Sequence, residues 1–142
     1  MKLRRLERCY MKKQVEAWVK FAQKDLLAVY EIMEKPDLTG IAAFLCQQAI
    51  EKFFKALILK FGKALARTHN LLTLYGTIKE VTDLEFDEDL LAQINDIYLE
   101  SRYPCDNRLS DDWLMPTVEQ IKNFFSFANK VEMKIMEELK KT

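Results

Sequence analysis

Glycine and proline are scarce, with three of each in 142 residues. A chain so short of helix breakers favours long, uninterrupted elements and an all-helical fold. Cysteine is also scarce, and Cys9, Cys46 and Cys105 lie far apart with no CxxC pair. With His69 as the single histidine, nothing suggests a Cys/His zinc site. Net charge is absent too: 22 basic residues balance 22 acidic ones. No global field therefore draws the chain to nucleic acid. There is no glycine-rich phosphate loop, no HExxH and no ExxH pair of the kind that holds two metals. No Ser/His/Asp set can be assembled around one histidine. The basic N-terminal stretch is not followed by an uninterrupted apolar run, which argues against a signal peptide. What remains is a globular composition, 49% hydrophobic and 31% charged. It suits a single domain over 1–142 with one core, in a reduced cytoplasm.

The stretch around which the rest is organised is IAAFLCQQAIEKFFKALILKF, residues 41–61. On a helical wheel its polar residues Gln47, Gln48, Glu51, Lys52 and Lys55 fall within an arc of about 140°. The rest of residues 41–59 is apolar, so several other helices must cover it. Five central polar residues argue against membrane insertion. Glu51 and Lys55 stand four apart in the favourable order, and Gln47 lies one turn earlier. The arc reads either as a partly solvated face with an ordinary ion pair or as the lining of a site.

The other elements follow from periodicity. Val15, Trp18, Ala22, Leu26, Val29 and Met33 occupy roughly 80° of a helix predicted over residues 11–34, with residues 1–9 either a frayed start or an early turn of it. Asp25 intrudes on that apolar arc and needs a donor, for which a Lys or Gln of the polar arc is the candidate. Pro36 to Gly40 is a turn, with Asp37 or Thr39 as the cap of the second helix and Gly62 as its stop. Thr68 is the expected cap of a short third helix over residues 71–81. A fourth helix is predicted over residues 88–101, with Leu90, Leu91, Ile94, Ile97 and Tyr98 facing the core. The last begins near Thr117, where Thr117 and Gln120 fit a capping box. Phe124, Phe125 and Phe127 cannot all face one core, which leaves an apolar surplus for a second copy of the chain. Four long helices plus a short one, with short connections, predict an up-and-down bundle.

Charge is unevenly spread. Residues 1–24 hold eight Lys/Arg against two Glu, and residues 81–112 hold ten Asp/Glu against two Arg. Those two, Arg102 and Arg108, are the only cations between Lys79 and Lys122. They read as local neutralisation or as an anion contact, and spacing does not choose.

Four pieces in order carry a resemblance: Trp18-x3-Ala22-x2-Asp25-Leu26-x-Ala28; Gln47-Gln48-Ala49-x-Glu51-Lys52-x2-Lys55-Ala56-Leu57; Arg67-Thr68-His69-x-Leu71; and Tyr98-x3-Arg102-Tyr103-Pro104. Together they resemble the HEPN domain (higher eukaryotes and prokaryotes nucleotide-binding) over about residues 10–140. The resemblance implies a helical bundle that commonly dimerises. It also implies a partner, a minimal nucleotidyltransferase encoded nearby, often in a toxin–antitoxin or related system. Ribonucleases of this family carry an Arg-x4-6-His motif. Arg102 matches its Arg, but the positions for its His are Asn107, Arg108 and Leu109. Neither Asn nor Arg moves a proton near neutral pH as His does. The resemblance therefore implies a non-enzymatic binding module without metal or cofactor. Asp25, Gln48, Glu51, Lys52, Lys55, Arg102, Tyr103 and Arg108 would line a polar groove for a nucleotide or RNA. The alternatives are a ribonuclease toxin in which His69 serves Arg102, and a plain dimeric scaffold.

Overall fold

The computed structural model describes residues 2–102 and 115–141, and the side chains of 98–102 fall outside that description. The described residues are all-helical. Five α-helices follow one another: α1 (Lys2–Ile32), α2 (Thr39–Lys60), α3 (Leu71–Val81), α4 (Glu88–Arg102) and α5 (Val118–Lys140). A single 3₁₀ turn, Pro36–Leu38, joins α1 to α2. No described helix is long and apolar enough to cross a membrane.

The apolar stretch became the central helix. Fifteen of the 22 residues of α2 are buried, so most of its circumference is covered, with Ile41 exposed and Gln48 and Lys52 partly so. Phe53, Phe54, Ile50, Leu57 and Ile58 fill the middle of the core, and truncating a phenylalanine there costs on the order of 3–5 kcal/mol. Named contacts fix the directions of its neighbours. Asp25 reaches Lys52 and Trp18 reaches Lys55, so α1 runs antiparallel to α2. A Cβ on Gly40 would lie 2.6 Å from Met115 Cε, and Lys60 meets the end of α5, so α5 runs parallel to α2. Lys79 pairs with Glu88 while Leu71 bonds Asn95, so α3 and α4 are antiparallel.

The segment between α2 and α3 has an unusual course. Gly62, at φ +72°, ends α2 in the left-handed region that favours glycine. The chain then climbs back beside α2 until His69 lies level with Gln47 and Glu51. From there α3 descends parallel to α2.

Several local expectations change. The first helix starts at Lys2, so the residues before 11 belong to it rather than forming a frayed start, and residues 2–10 are exposed on all sides. The backbone hydrogen bonds of α1 thus continue beyond the part that the core supports. Neither Asp37 nor Thr39 caps α2: its N-cap is Leu38 without a side-chain bond, and the Thr39 hydroxyl donates to Pro36 O. Asn70, not Thr68, caps α3, its Oδ1 accepting from Leu72 N and Thr73 N. Thr68 Oγ1 instead accepts from Asn70 N, one step before the helix. The Thr117–Gln120 capping box forms as expected.

The phenylalanines of α5 leave no surplus. Phe124 and Phe127 are both buried, and Phe125 packs against Tyr30 with ring centroids 6.2 Å apart. Residues three apart differ by only about 60° on the wheel, and α1 covers the side on which Phe125 falls. Most of the exposed large apolar side chains lie on α1 instead, at Leu3, Leu6, Tyr10, Phe21, Leu27 and Tyr30, while α5 exposes Met133.

Candidate functional site

Four-residue spacing sets Gln47, Glu51 and Lys55 in a row along α2, and the row is buried. Only Gln48 and Lys52 of the polar arc are partly solvated, and the Gln47–Glu51–Lys55 row lies in the interior. Glu51, 3% exposed, collects donors from three sides. Gln47 Nε2 donates to its Oε1 at 3.2 Å, and Lys55 Nζ donates to its Oε2 at 3.0 Å. His69 Nδ1 stands 3.0 Å from Oε1, and facing a carboxylate it carries the hydrogen. Lys55 also lies under the indole of Trp18, 5.6 Å from the ring centroid.

The row extends in both directions. Gln48 Nε2 donates to Gln47 Oε1 at 2.7 Å, and Gln47 Nε2 donates to the carbonyl of His69 at 2.7 Å. Asn95 Oδ1 accepts from Leu71 N at 3.1 Å, and Asn95 Nδ2 donates to Asn70 Oδ1 at 2.9 Å. A continuous polar seam thus ties α2 to the climbing segment, α3 and α4. Among the described residues no buried side-chain polar atom lacks a partner. Beside the seam, Lys52 Nζ meets Asp25 Oδ2 at 2.6 Å, with both side chains mostly shielded. This is the donor that Asp25 required.

The candidate residues therefore separate. Glu51 and Lys55 are interior supports spent on each other. Asp25 and Lys52 form a half-buried pair near the surface, and Gln48 is half-buried at the seam's edge. Arg102 ends α4, but its side chain lies outside the described residues, as do Tyr103 and Arg108. The proximity of His69 to Arg102 falls outside them as well. His69 is an exposed member of the seam, its side chain 61% accessible, with Nδ1 held by a buried carboxylate. That arrangement fixes the orientation of an imidazole at the surface. Among the described residues no group of three His, Cys, Asp or Glu side chains could hold a metal.

Asn70 and Asn95 were missed by sequence reasoning. Asn70 could have been found, since an Asn directly before an apolar run is a strong N-cap signal. Asn95 sits at the edge of the apolar arc of α4, where an Asn reads as solvated until its partner is known.

Comparison with known proteins adds the following. The HEPN domain family matches residues 15–139. A crystal structure of TT1696 from Thermus thermophilus superimposes with a TM-score of 0.69 at 22% identity, over 88% of this chain and 98% of that one. The crystal structure of ST0689, described as an archaeal HEPN homologue, superimposes with a TM-score of 0.60 at 21% identity, over 89% of this chain and 98% of that one. No curated protein matches the chain.

Proposed function

Because this chain belongs to the HEPN domain family, we propose that it is a non-catalytic nucleotide-binding module, the partner of a minimal nucleotidyltransferase in a toxin–antitoxin or related system. In this reading α1, α2, α4 and α5 form the up-and-down bundle, with α3 as the short addition. The module works in the cytoplasm as a homodimer. Support for the dimer comes from α1, where Leu3, Leu6, Tyr10 and Phe21 are all more than half exposed within an arc of about 60°.

One observation carries the reading. None of Asn107, Arg108 and Leu109 supplies the histidine that would follow Arg102 at the spacing the ribonucleases of this family use. Arg102 then supplies a planar fork for phosphate without a proton-transfer partner at the spacing that cleavage uses. Lys52 and Gln48 at the seam's edge add polar contacts.

The orientation of His69 favours a second reading, a ribonuclease in which Glu51 holds the imidazole for proton transfer and Arg102 binds the phosphate. Two assays separate the readings. Under the first, the purified protein leaves RNA intact in EDTA, and Arg102→Ala or Arg102→Lys weakens nucleotide or nucleotidyltransferase binding without unfolding the chain. RNA cleavage in EDTA, lost in His69→Ala and Arg102→Ala, would establish the second reading. Unchanged binding by Arg102→Ala would leave a dimeric scaffold.

A further inference from the structure

Away from the polar seam, the first half of α1 and the last turns of α5 enclose an open groove of about 670 Å³. Its floor is apolar: Met11, Val15 and Val19 from α1, Met136 and Leu139 from α5. Its rim is cationic. Arg8, Lys12 and Lys20 stand along α1 and Lys140 along α5, against one carboxylate, Glu16. Lys60 also lines it, but its ammonium is committed to the carbonyls of Glu138, Leu139 and Lys141. The groove shares no residue with the seam and does not depend on what the seam binds.

We propose that this groove docks an acidic amphipathic helix of a partner protein. Three features select that occupant. The floor is a strip between two helices, the shape that takes the apolar face of a third, and its two methionines can adapt to the side chains placed on them. Four rim cations against one acid match carboxylates flanking such a face. Inside this groove a second copy of α1 is disfavoured, because its basic first half would be set directly against the four rim cations, whose α1 members lie on a different face of that helix from Leu3, Leu6, Tyr10 and Phe21. Single-stranded nucleic acid is a poorer fit, since the floor offers no aromatic ring for a base to stack on. A lipid bilayer is also a poorer fit. Val19 is only 8% exposed at the bottom of the groove, beyond the reach of a flat surface that meets the rim lysines first.

The test uses the whole chain and labelled probes in fluorescence anisotropy. The principal probe is a stapled helix of about 16 residues with Leu on one face and Glu on its flanks. A Lys-flanked version, a Leu→Ser version, a single-stranded RNA oligonucleotide and phosphatidylserine vesicles serve as comparisons. The Glu-flanked helix should bind in the micromolar range, and its Kd should rise about tenfold in Lys12→Glu/Lys20→Glu. Both positions are exposed, so that variant keeps its fold, as circular dichroism will show. The Lys-flanked helix should gain affinity for the same variant. Met136→Asp should weaken the Glu-flanked helix, and the Leu→Ser probe should not bind. The proposal is overturned if the Glu-flanked helix fails to bind or binds the charge-reversed variant equally well. It is also overturned if RNA or vesicles bind more tightly than the peptide and lose binding in that variant. Conversion of a dimer to a monomer by Met136→Asp would overturn it in favour of a second copy in the groove.

Discussion

Glu51 is the residue on which the seam depends, because one carboxylate satisfies Gln47, Lys55 and His69 at once. Replacing it with Leu leaves the Lys55 ammonium buried without its counter-charge. Breaking a buried pair in this way costs about 3–5 kcal/mol. Adding Lys55→Met removes the stranded charge, so the double variant should recover at least half of the loss in urea unfolding. Single-variant losses within about 0.5 kcal/mol, the range of an ordinary surface change, would show that the seam supports nothing. Cys46 gives a second expectation at this scale. Burial pushes its thiol up to about 12. Below pH 9 the thiol is protonated in both the folded and unfolded chain. Above it the unfolded thiol ionises first, so folding stability falls by roughly 1.4 kcal/mol per pH unit between about 9 and 12. Cys46→Ala should remove that component of the alkaline slope. In the native protein at pH 8, iodoacetamide should reach exposed Cys9 and spare Cys46. The need of Asp25 for a cation was legible, because a carboxylate within an apolar arc has few alternatives. The burial of Glu51 was not. Its row looks the same on a wheel whether water or a returning loop covers it, and only the path of residues 63–70 decides.

Among the elements, α3 depends on a single side chain at its start. Asn70 accepts from two helix N–H groups and also from Asn95 of α4, while the preceding carbonyl, His69 O, is held by Gln47. Asn70→Ala should cost about 1–2 kcal/mol, the upper part of the range for a lost N-cap, because Asn95 also loses its acceptor. Asn70→Asp, which keeps the acceptor, should cost less. A shift in the urea midpoint with an unchanged slope would check this, since the change would then be in stability alone. The helices themselves were readable from Val15-Trp18-Ala22 and Ile121-Phe125-Ala128, whose spacing has one periodic solution. Their ends were less so. Thr68 and Asn70 are both competent caps two residues apart, and the bond to Asn95, 25 residues on, is what separates them. The start of α1 stayed open for a related reason. The apolar repeat identifies where a helix is supported, and residues 2–10 form one without support from the core.

For the molecule as a whole, α2 is the common partner of α1, α3, α4 and α5, and the chain closes on it last through Lys60. That ammonium gathers the carbonyls of Glu138, Leu139 and Lys141 at the negative end of α5, of which Glu138 O also accepts from Lys141 N. The contact spans 78 residues or more. Ring closures of that length form late, whereas the α1–α2 hairpin needs only a short turn. Folding time and residence time are then governed by different parts of one helix. The middle of α2 should then set how fast the chain finds its structure, and its final lysine should lengthen the time the structure lasts. Lys60→Met should leave the refolding limb of a chevron nearly unmoved. It should raise the unfolding rate by about fivefold for each kcal/mol of stability lost. An equal slowing of refolding would place the clamp in the nucleus instead. If unfolding does accelerate alone, Lys60 acts as a latch, and release of α5 is the first event by which this protein comes apart.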